Sequence, residues 1–369
     1  MSDRLRVGLV FGGRSGEHAI SLMSARSVLD TLDRDKYEVT LVGIDQAGHW
    51  YAGPDALRAL EAADLSGLSR AVLPGEPGEG RLFQWEPSGH MELLTELDVV
   101  FPVLHGTFGE DGTIQGLFEM ADVAYVGAGV LASALAMDKG IFKDLMKMHG
   151  VPQVAYRVLE ASDVVQQTDE ALEVAESVGG YPLFTKPANL GSSVGVSKVR
   201  SRSDLVEGLM DAAQYDRRVI VEKGIEAREI EVSVLGNEHP RASVPGEVVP
   251  GDEFYSYRAK YQDETSTLHI PAPIGQGDVR TVQDLAIRAF TAIDGAGMAR
   301  VDFLMDKVSG EIYLNELNTI PGFTKISMYP KLWEATGLPY QKLCDSLIDL
   351  ALERKAAKDT LVRSYGSDS

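Results

Sequence analysis

The sequence predicts an α/β protein: an N-terminal parallel sheet, followed by α+β parts built on antiparallel hairpins. Three observations lead there. At 369 residues the chain is longer than one hydrophobic core normally serves, so two or three domains are expected. Within the first 44 residues an apolar run, a glycine turn, a helical pattern and a second apolar run succeed one another, which is how a parallel α/β sheet begins. Past residue 180, strand-like runs follow one another through short turns, the signature of hairpins.

Residues 5 to 11 are a short apolar strand that ends in Gly12-Gly13-Arg14-Ser15-Gly16-Glu17-His18. Ile20, Leu22, Met23, Val28, Leu29 and Leu32 keep a helical period, and Tyr37 to Ile44 is a second strand. Residues 61 to 96 are rich in Gly, Pro, Ser and Glu without sustained period and read as a surface excursion. Asp98 to Leu104 resumes the sheet, with His105-Gly106 behind it. Asp138 is an N-cap type residue before a helix through Met146, and Gly150 and Pro152 stop it. Tyr181 to Lys186 and Val196 to Val199 flank a loop of small residues. A helix over 203–213, strands at 218–222 and 229–235, and a helix over 281–294 precede a hairpin at 299–322. The long polar and aromatic stretch 245–272 has the length of a lid. A last helix lies near 340–355, and 356–369 reads as a frayed tail.

Bulk properties exclude some classes. A net charge of −20 opposes gripping nucleic acid, which needs basic surface to displace counterions, and opposes docking on anionic membranes. It permits small anionic ligands, because a few local Lys and Arg outweigh the mean field at short range. A single cysteine, Cys344, allows no internal disulfide and no cysteine cage for a metal; among Leu343, Leu347 and Ile348 it reads as a buried helix thiol. No apolar run approaches the ~18 residues of a membrane span, and the N-terminus does not read as a secretion signal, so a cytoplasmic location is expected.

The hairpin "ARVDFLMDKVSGEIYLNELNTIPG" carries Asp302, Glu316 and Asn318, types that strands avoid. A turn at Lys307–Glu311 pairs Asp306 with Ile312, Leu304 with Leu314 and Asp302 with Glu316. Opposed residues share a face, and Asn318 shares it two residues on. Two opposed carboxylates repel unless something positive sits between them, and hard oxygens suit Mg²⁺. The alternative is a solvent-facing strand with surface acids. A second clue is Lys186-Pro187-Ala188-Asn189-Leu190-Gly191-Ser192-Ser193-Val194-Gly195. Glycines let backbone N–H groups approach an anion, and Ser192 and Ser193 add hydroxyl donors. It is neither a Walker A sequence nor a Rossmann fingerprint, and alone it reads equally as a flexible hairpin turn. Together, a phosphate cradle and a distant acidic Mg²⁺ site describe a nucleoside triphosphate site.

Four motifs in order, GGRSGEHAIS (from Gly12), HGTFGEDGTIQG (from His105), the loop from Lys186 to Gly195 and the hairpin from Arg300 to Gly322, resemble the ATP-grasp superfamily and, within it, the D-alanine–D-alanine ligase family. The resemblance runs from Val7 to about Leu350. It implies an ATP-grasp fold preceded by a Rossmann-like parallel domain: 1–128, then 129–216 and 217–355 with a mobile loop at 245–272, then a flexible tail. It implies ATP as substrate, two Mg²⁺ (or Mn²⁺), a monovalent cation left open, and a homodimer. Lys139, Lys186 and Lys260 match the lysines on ATP phosphates. Glu222, Lys223 and Ile225 match the adenine hinge, and Glu229 the ribose acid. Asp302, Glu316 and Asn318 match the metal ligands. Glu17 matches the residue holding the first D-alanine's ammonium, linked through Ser192 to Tyr261. His105 matches the substrate-side histidine, and Arg300 with the Gly322 N–H the oxyanion pair. Ser327 and Met328 match the subsite of the second D-alanine. In relatives that use D-lactate the tyrosine matching Tyr261 is replaced, so its presence implies the dipeptide product. Rival readings are an ATP-grasp ligase for other substrates, a non-catalytic nucleotide-binding module, and an α/β protein that binds small polar ligands without metal.

Overall fold

The computed structural model describes residues 4–78, 80–86, 88–191, 194–250 and 267–362. The first layer holds β1 (Leu5–Gly12), α1 (His18–Thr31), β2 (Tyr37–Ile44), β3 (Trp50–Ala52), α2 (Ala56–Glu61), β4 (Ser69–Val72), β5 (Arg81–Trp85), β6 (Met91–Glu96), β7 (Val99–Pro102), α3 (Thr113–Met120) and β8 (Ala124–Tyr125). They make an eight-stranded sheet in the order β6-β5-β4-β3-β2-β1-β7-β8. The pairs β1–β2, β1–β7 and β7–β8 are parallel, and β1 is an apolar run because parallel strands are covered on both faces. The excursion expected over 61–96 is instead β4 to β6, which extend the sheet as antiparallel strands. Few of their residues are buried, Ala71 and Leu82 among them, so burial imposes little apolar period there.

Next come α4 (Val130–Met137), α5 (Lys139–Met148), β9 (Tyr156–Glu160), α6 (Ala161–Gln166), α7 (Thr168–Glu176), β10 (Leu183–Pro187), β11 (Ser197–Val199), α8 (Arg202–Ala212) and β12 (Arg218–Lys223). Asp138 caps α5 by accepting from the Ile141 N–H at 3.0 Å. A four-stranded sheet, β11-β10-β12-β9, is covered by α6, α7 and α8. The expected boundary at 216/217 therefore falls just before a strand of this sheet. Helices α4 and α5 bury Ala132, Ala136, Phe142 and Met146 in the core of the next sheet.

That sheet contains β13 (Ala227–Gly236), β14 (Arg241–Ala242), β15 (Gly246–Val249), β16 (Thr267–His269), β17 (Gly297–Asp306) and β18 (Ile312–Asn318), backed by α9 (Gln276–Ala292). Its main order is β16-β15-β13-β17-β18. The two ends of the patternless 245–272 stretch are thus strands, β15 inside the sheet and β16 at its edge. Helices α10 (Met328–Ala335) and α11 (Tyr340–Asp359) return to the first layer, where Tyr329, Trp333, Leu343 and Leu347 share a core with Val7, Leu9 and Phe101. Asp345 accepts from Tyr37 at 2.9 Å and Lys36 at 2.8 Å, fastening α11 to β2. Cys344 is buried in that core, as its neighbours predicted. Helix α11 runs four residues into the expected tail, and none of the described helices is long and apolar enough to cross a membrane.

The hairpin corrects one register. Its turn is fixed by Asp306, whose carboxylate accepts from the Val308 and Ser309 N–H groups at 2.8 and 2.7 Å, and by Gly310 at φ +75°. The ladder then pairs Met305 with Ile312, Leu304 with Tyr313 and Phe303 with Leu314, not the pairs expected. A bulge between Phe303 and Asp302 absorbs one residue, and beyond it Asp302 opposes Glu316 and Arg300 opposes Asn318. The bulge lets Leu314 and Leu317, three apart, both enter the core while Glu316 faces the other way.

Candidate active site

One face of β13, β17 and β18 is apolar core: Ile230, Val232, Val301, Phe303 and Leu317. The opposite face follows from the pleat and the ladder: Glu229, Glu231, Arg300, Asp302, Glu316 and Asn318. It looks onto a cleft of about 370 Å³ lined from three sides. Glu17, His105 and Glu110 come from the first layer, Lys139, Lys186, Gly191 and Glu222 to Ile225 from the central unit, and the hairpin face with Thr319 to Gly322 from the third.

The lysines of the cleft are held by buried pairing. Glu222 sits in the middle of the central sheet, with Lys143 Nζ 2.9 Å from one carboxylate oxygen and Lys186 Nζ 2.6 Å from the other. Burial alone pushes the Glu222 carboxyl up; the two lysines outweigh it and hold the group at about 2. Burial also disfavours a charged Lys186, but Glu222, Glu316 and Glu229 raise it, so the ammonium persists. Glu316 and Lys186 line the same cleft, so the acidic hairpin faces the strand that leads into the Lys186–Gly195 loop. Lys139 opens α5, where a cation gains nothing from the helix dipole. Its Nζ donates to the Leu190 carbonyl at 2.6 Å and its N–H to Ala188 at 3.0 Å, so it meets the loop directly.

The end of the cleft around Glu17 joins all three units. Glu17 occupies the N-cap position of α1 but makes no side-chain cap, and at 8% exposure it turns into the cleft. A Cβ at Gly106 would lie 2.5 Å from its Oε2, and one at Gly191 2.9 Å. Gly106, at φ +74°, also needs its left-handed backbone, and at both glycines the chain comes close to the Glu17 carboxylate. His105 is buried, with Nδ1 2.9 Å from the Ile320 carbonyl and Nε2 2.9 Å from Ser24 Oγ. A carbonyl only accepts, so Nδ1 carries the proton. Burial lowers its affinity for a second one, against the pull of Glu17. Both ring nitrogens are committed to the protein, which makes His105 a tie between the first layer and the Ile320–Gly322 loop. Glu110 makes a parallel tie, accepting from the N–H of Gly106 at 2.8 Å and of Ile320 at 3.0 Å. Burial and then Glu17 push its carboxyl up to about 8.

Asp302 accepts from Arg300 Nε and Nη2, both at 2.7 Å, and from Asn318 Nδ2 at 3.1 Å. Among the described residues no group of three or more His, Cys, Asp or Glu is placed to hold a metal. Asp302, Glu316 and Asn318 are two carboxylates and an amide, and this hard-oxygen set fits Mg²⁺, which leaves positions to water and phosphate oxygens.

Of the residues singled out from sequence, Glu17, His105, Lys139, Lys186, Glu222, Lys223, Ile225, Glu229, Arg300, Asp302, Glu316, Asn318 and Gly322 share the cleft. Ser327 and Met328 do not line it, although a Cβ at Gly322, which does, would lie 3.1 Å from Ser327 Oγ. Ser327 caps the Thr324 N–H at 3.1 Å, and Met328, 5% exposed, packs on Val248 and Leu332. Ser192, Ser193, Lys260 and Tyr261 lie outside the described residues. Sequence reading missed Lys143, Glu110 and Glu231. Each had a positional signal: Lys143 is one turn past Lys139, Glu110 is inside the histidine motif, and Glu231 is two along the strand from Glu229.

The family model described as "D-ala D-ala ligase N-terminus" matches residues 6–128, and that for the "D-ala D-ala ligase C-terminus" matches 145–349. The chain is 52% identical to the D-alanine–D-alanine ligase of Heliobacterium modesticaldum over 352 residues, covering 95% of this chain and 96% of that one. Among solved structures it is similar to the D-alanine–D-alanine ligase of Coxiella burnetii, with a TM-score of 0.82, 34% identity, and 98% and 97% of the chains covered. It is also similar to the VanG D-Ala:D-Ser ligase of Enterococcus faecalis, with a TM-score of 0.83, 32% identity, and 94% and 99% covered.

Proposed function

The chain belongs to the D-alanine–D-alanine ligase family, and from that premise we propose how its residues share the work. The reaction is the ATP-dependent joining of two D-alanine molecules through D-alanyl phosphate, a step of peptidoglycan precursor synthesis. The first carboxylate attacks the γ-phosphorus and ADP leaves. The amine of the second D-alanine then attacks the acyl carbonyl, phosphate departs and the amine loses a proton.

Two anions meet in the first half-reaction, so positive charge limits it. Lys139 and Lys186 hold the phosphates, aided by Lys260 and the loop hydroxyls of Ser192 and Ser193. Glu222 keeps Lys186 charged and aimed. The segment Glu222 to Ile225 meets the adenine and Glu229 the ribose. Asp302, Glu316 and Asn318 hold two Mg²⁺ (or Mn²⁺), which would neutralise charge developing on the transferred phosphoryl group. Glu17 binds the first D-alanine's ammonium, positioned through Ser192 and Tyr261. In the second half-reaction an oxyanion develops. Arg300 and the Gly322 N–H face it, and one such donor is worth about 3 kcal/mol. His105 and Glu110 act by holding the Ile320–Gly322 loop. Ser327, beside the cleft residue Gly322, and Met328 meet the second D-alanine. Closure by 245–272 would exclude water from the acyl phosphate. A homodimer through the N-terminal domain, a cytoplasmic setting and a monovalent-cation requirement belong to the same reading.

The observation that carries this reading is the shared cleft: Lys139, Lys186 and Gly191 line it together with Asp302, Glu316 and Asn318. Phosphate release is to be measured with ATP, Mg²⁺ and D-alanine, D-serine, D-lactate or L-alanine, with the product identified by mass. D-alanyl-D-alanine as the main product is expected. Mixed D-alanyl-D-serine at saturating D-alanine would reassign the second subsite.

A further inference from the structure

Arg300 stands between two acids. Its Nε lies 2.7 Å from Asp302 Oδ1 and 3.1 Å from Glu231 Oε2, and its Nη2 is 2.7 Å from Asp302 Oδ2. Glu231 opposes Asp302 across the β13–β17 ladder, and the side chains are enclosed, at 13% exposure for Arg300, 12% for Asp302 and 5% for Glu231. Metal binding by Asp302 would conflict with this pairing. Both its oxygens are engaged by Arg300, and Asn318 takes a further lone pair. A divalent ion that takes the positions Arg300 holds displaces the guanidinium, and one that takes the remaining position on Oδ1 stands against its positive charge. Arginine stays charged at any working pH, so it cannot resolve the conflict by losing a proton. An enclosed guanidinium stripped of its acid is costly unless another acid is at hand. Glu231 is that acid, and the chemistry proposed above gives it no other task.

We propose, on the assignment of Asp302 as a metal ligand, that Glu231 is a positioning residue: it is the anchor onto which Arg300 transfers when the metal takes Asp302, keeping the guanidinium aimed at the reacting carbonyl. In this exchange Arg300 and the metal compete for Asp302, and Glu231 lowers the cost of the metal winning.

The test is a double-mutant cycle read by Mn²⁺ binding, with calorimetry or electron paramagnetic resonance at fixed ADP, so that no turnover is needed. Glu231→Gln keeps shape and removes charge. In the presence of Arg300 it is expected to weaken Mn²⁺ binding about tenfold, a coupling of ordinary size for contacting charges. In an Arg300→Met background the same change is expected to cost less than about twofold, because no displaced guanidinium needs an anchor. Arg300→Met alone is expected to bind Mn²⁺ at least as tightly as wild type. An equal loss in both backgrounds would overturn the proposal, making Glu231 a metal ligand or a through-space charge. No loss in either would also overturn it. Asp302→Asn is the control for the metal assignment. If it binds Mn²⁺ normally, that assignment and the proposal fall together; if it loses binding while the cycle shows no coupling, only the proposal falls. Should Glu231→Gln not fold, Glu231→Asp carries the comparison, its carboxylate drawn back by one methylene.

Discussion

Gly191→Ala tests the approach of the Lys186–Gly195 loop to Glu17. The backbone of Gly191 is not left-handed, so alanine fits its conformation. Its Cβ, however, would stand 2.9 Å from Glu17 Oε2. An ordinary carbon–oxygen contact is about 3.4 Å, so the carboxylate or the loop withdraws by roughly half an ångström. A misplacement of ~1 Å at a reacting centre costs on the order of a hundredfold, and half of that about tenfold, or ~1.4 kcal/mol of activation free energy. Folding does not suffer, since Gly→Ala at a compatible position restricts the unfolded chain and is worth about 0.4–1 kcal/mol in the stabilising direction. Steady-state phosphate release against D-alanine concentration, beside a urea melt, separates the two. The expected result is a fall of about tenfold in kcat/KM for the first D-alanine, little change in the KM for ATP, and an unchanged or slightly raised melt midpoint. A kcat/KM within twofold of wild type would refute the contact between loop and acid.

Glu316→Gln is expected to cut turnover about a thousandfold or more while leaving the melt unchanged, and ATP-dependent phosphate release at the wild-type rate would remove Glu316 from the metal set. Glu110 titrates at about 8 when folded against 4.5 as an ordinary glutamate. Both states carry its proton below pH 4.5; above that, folding must take a proton up, so stability falls as pH rises through about 8. Glu110→Gln removes that slope, by roughly 5 kcal/mol at most, and urea melts at pH 5 and pH 9 that fall in parallel for both proteins would contradict it. Tyr261→Phe is expected to raise D-lactate incorporation at neutral pH, and an unchanged product ratio in competition with D-alanine would count against the specificity role.

Legibility followed burial and period. The parallel strands and the hairpin were visible because burial on one or both faces forces a pattern, as in Leu5 to Phe11 or the core side of β17. The strands β4 to β6 were not, since only Ala71 and Leu82 of their residues are buried and so little period is imposed. The bulge at Phe303/Asp302 was invisible for another reason: it is set by Leu314 and Leu317 both seeking the core, which sequence spacing alone leaves ambiguous with a one-residue shift. At the site, Asp302 and Glu316 announced themselves as acids in strands. Lys143 did not, because a lysine in a helix is ordinary until Glu222 and Lys186 close around it. Nor did Glu231, whose partner Arg300 lies 69 positions away in the chain.

The most direct measurement is a crystal structure with a non-hydrolysable ATP analogue and Mn²⁺, using anomalous scattering to place the metal. A Mn²⁺ peak about 2.2 Å from oxygens of Asp302, Glu316 and Asn318, and bound to phosphate oxygens that Lys139 and Lys186 also contact, is predicted. A triphosphate held away from Lys186, or a metal bound to it without Glu316, would contradict the account.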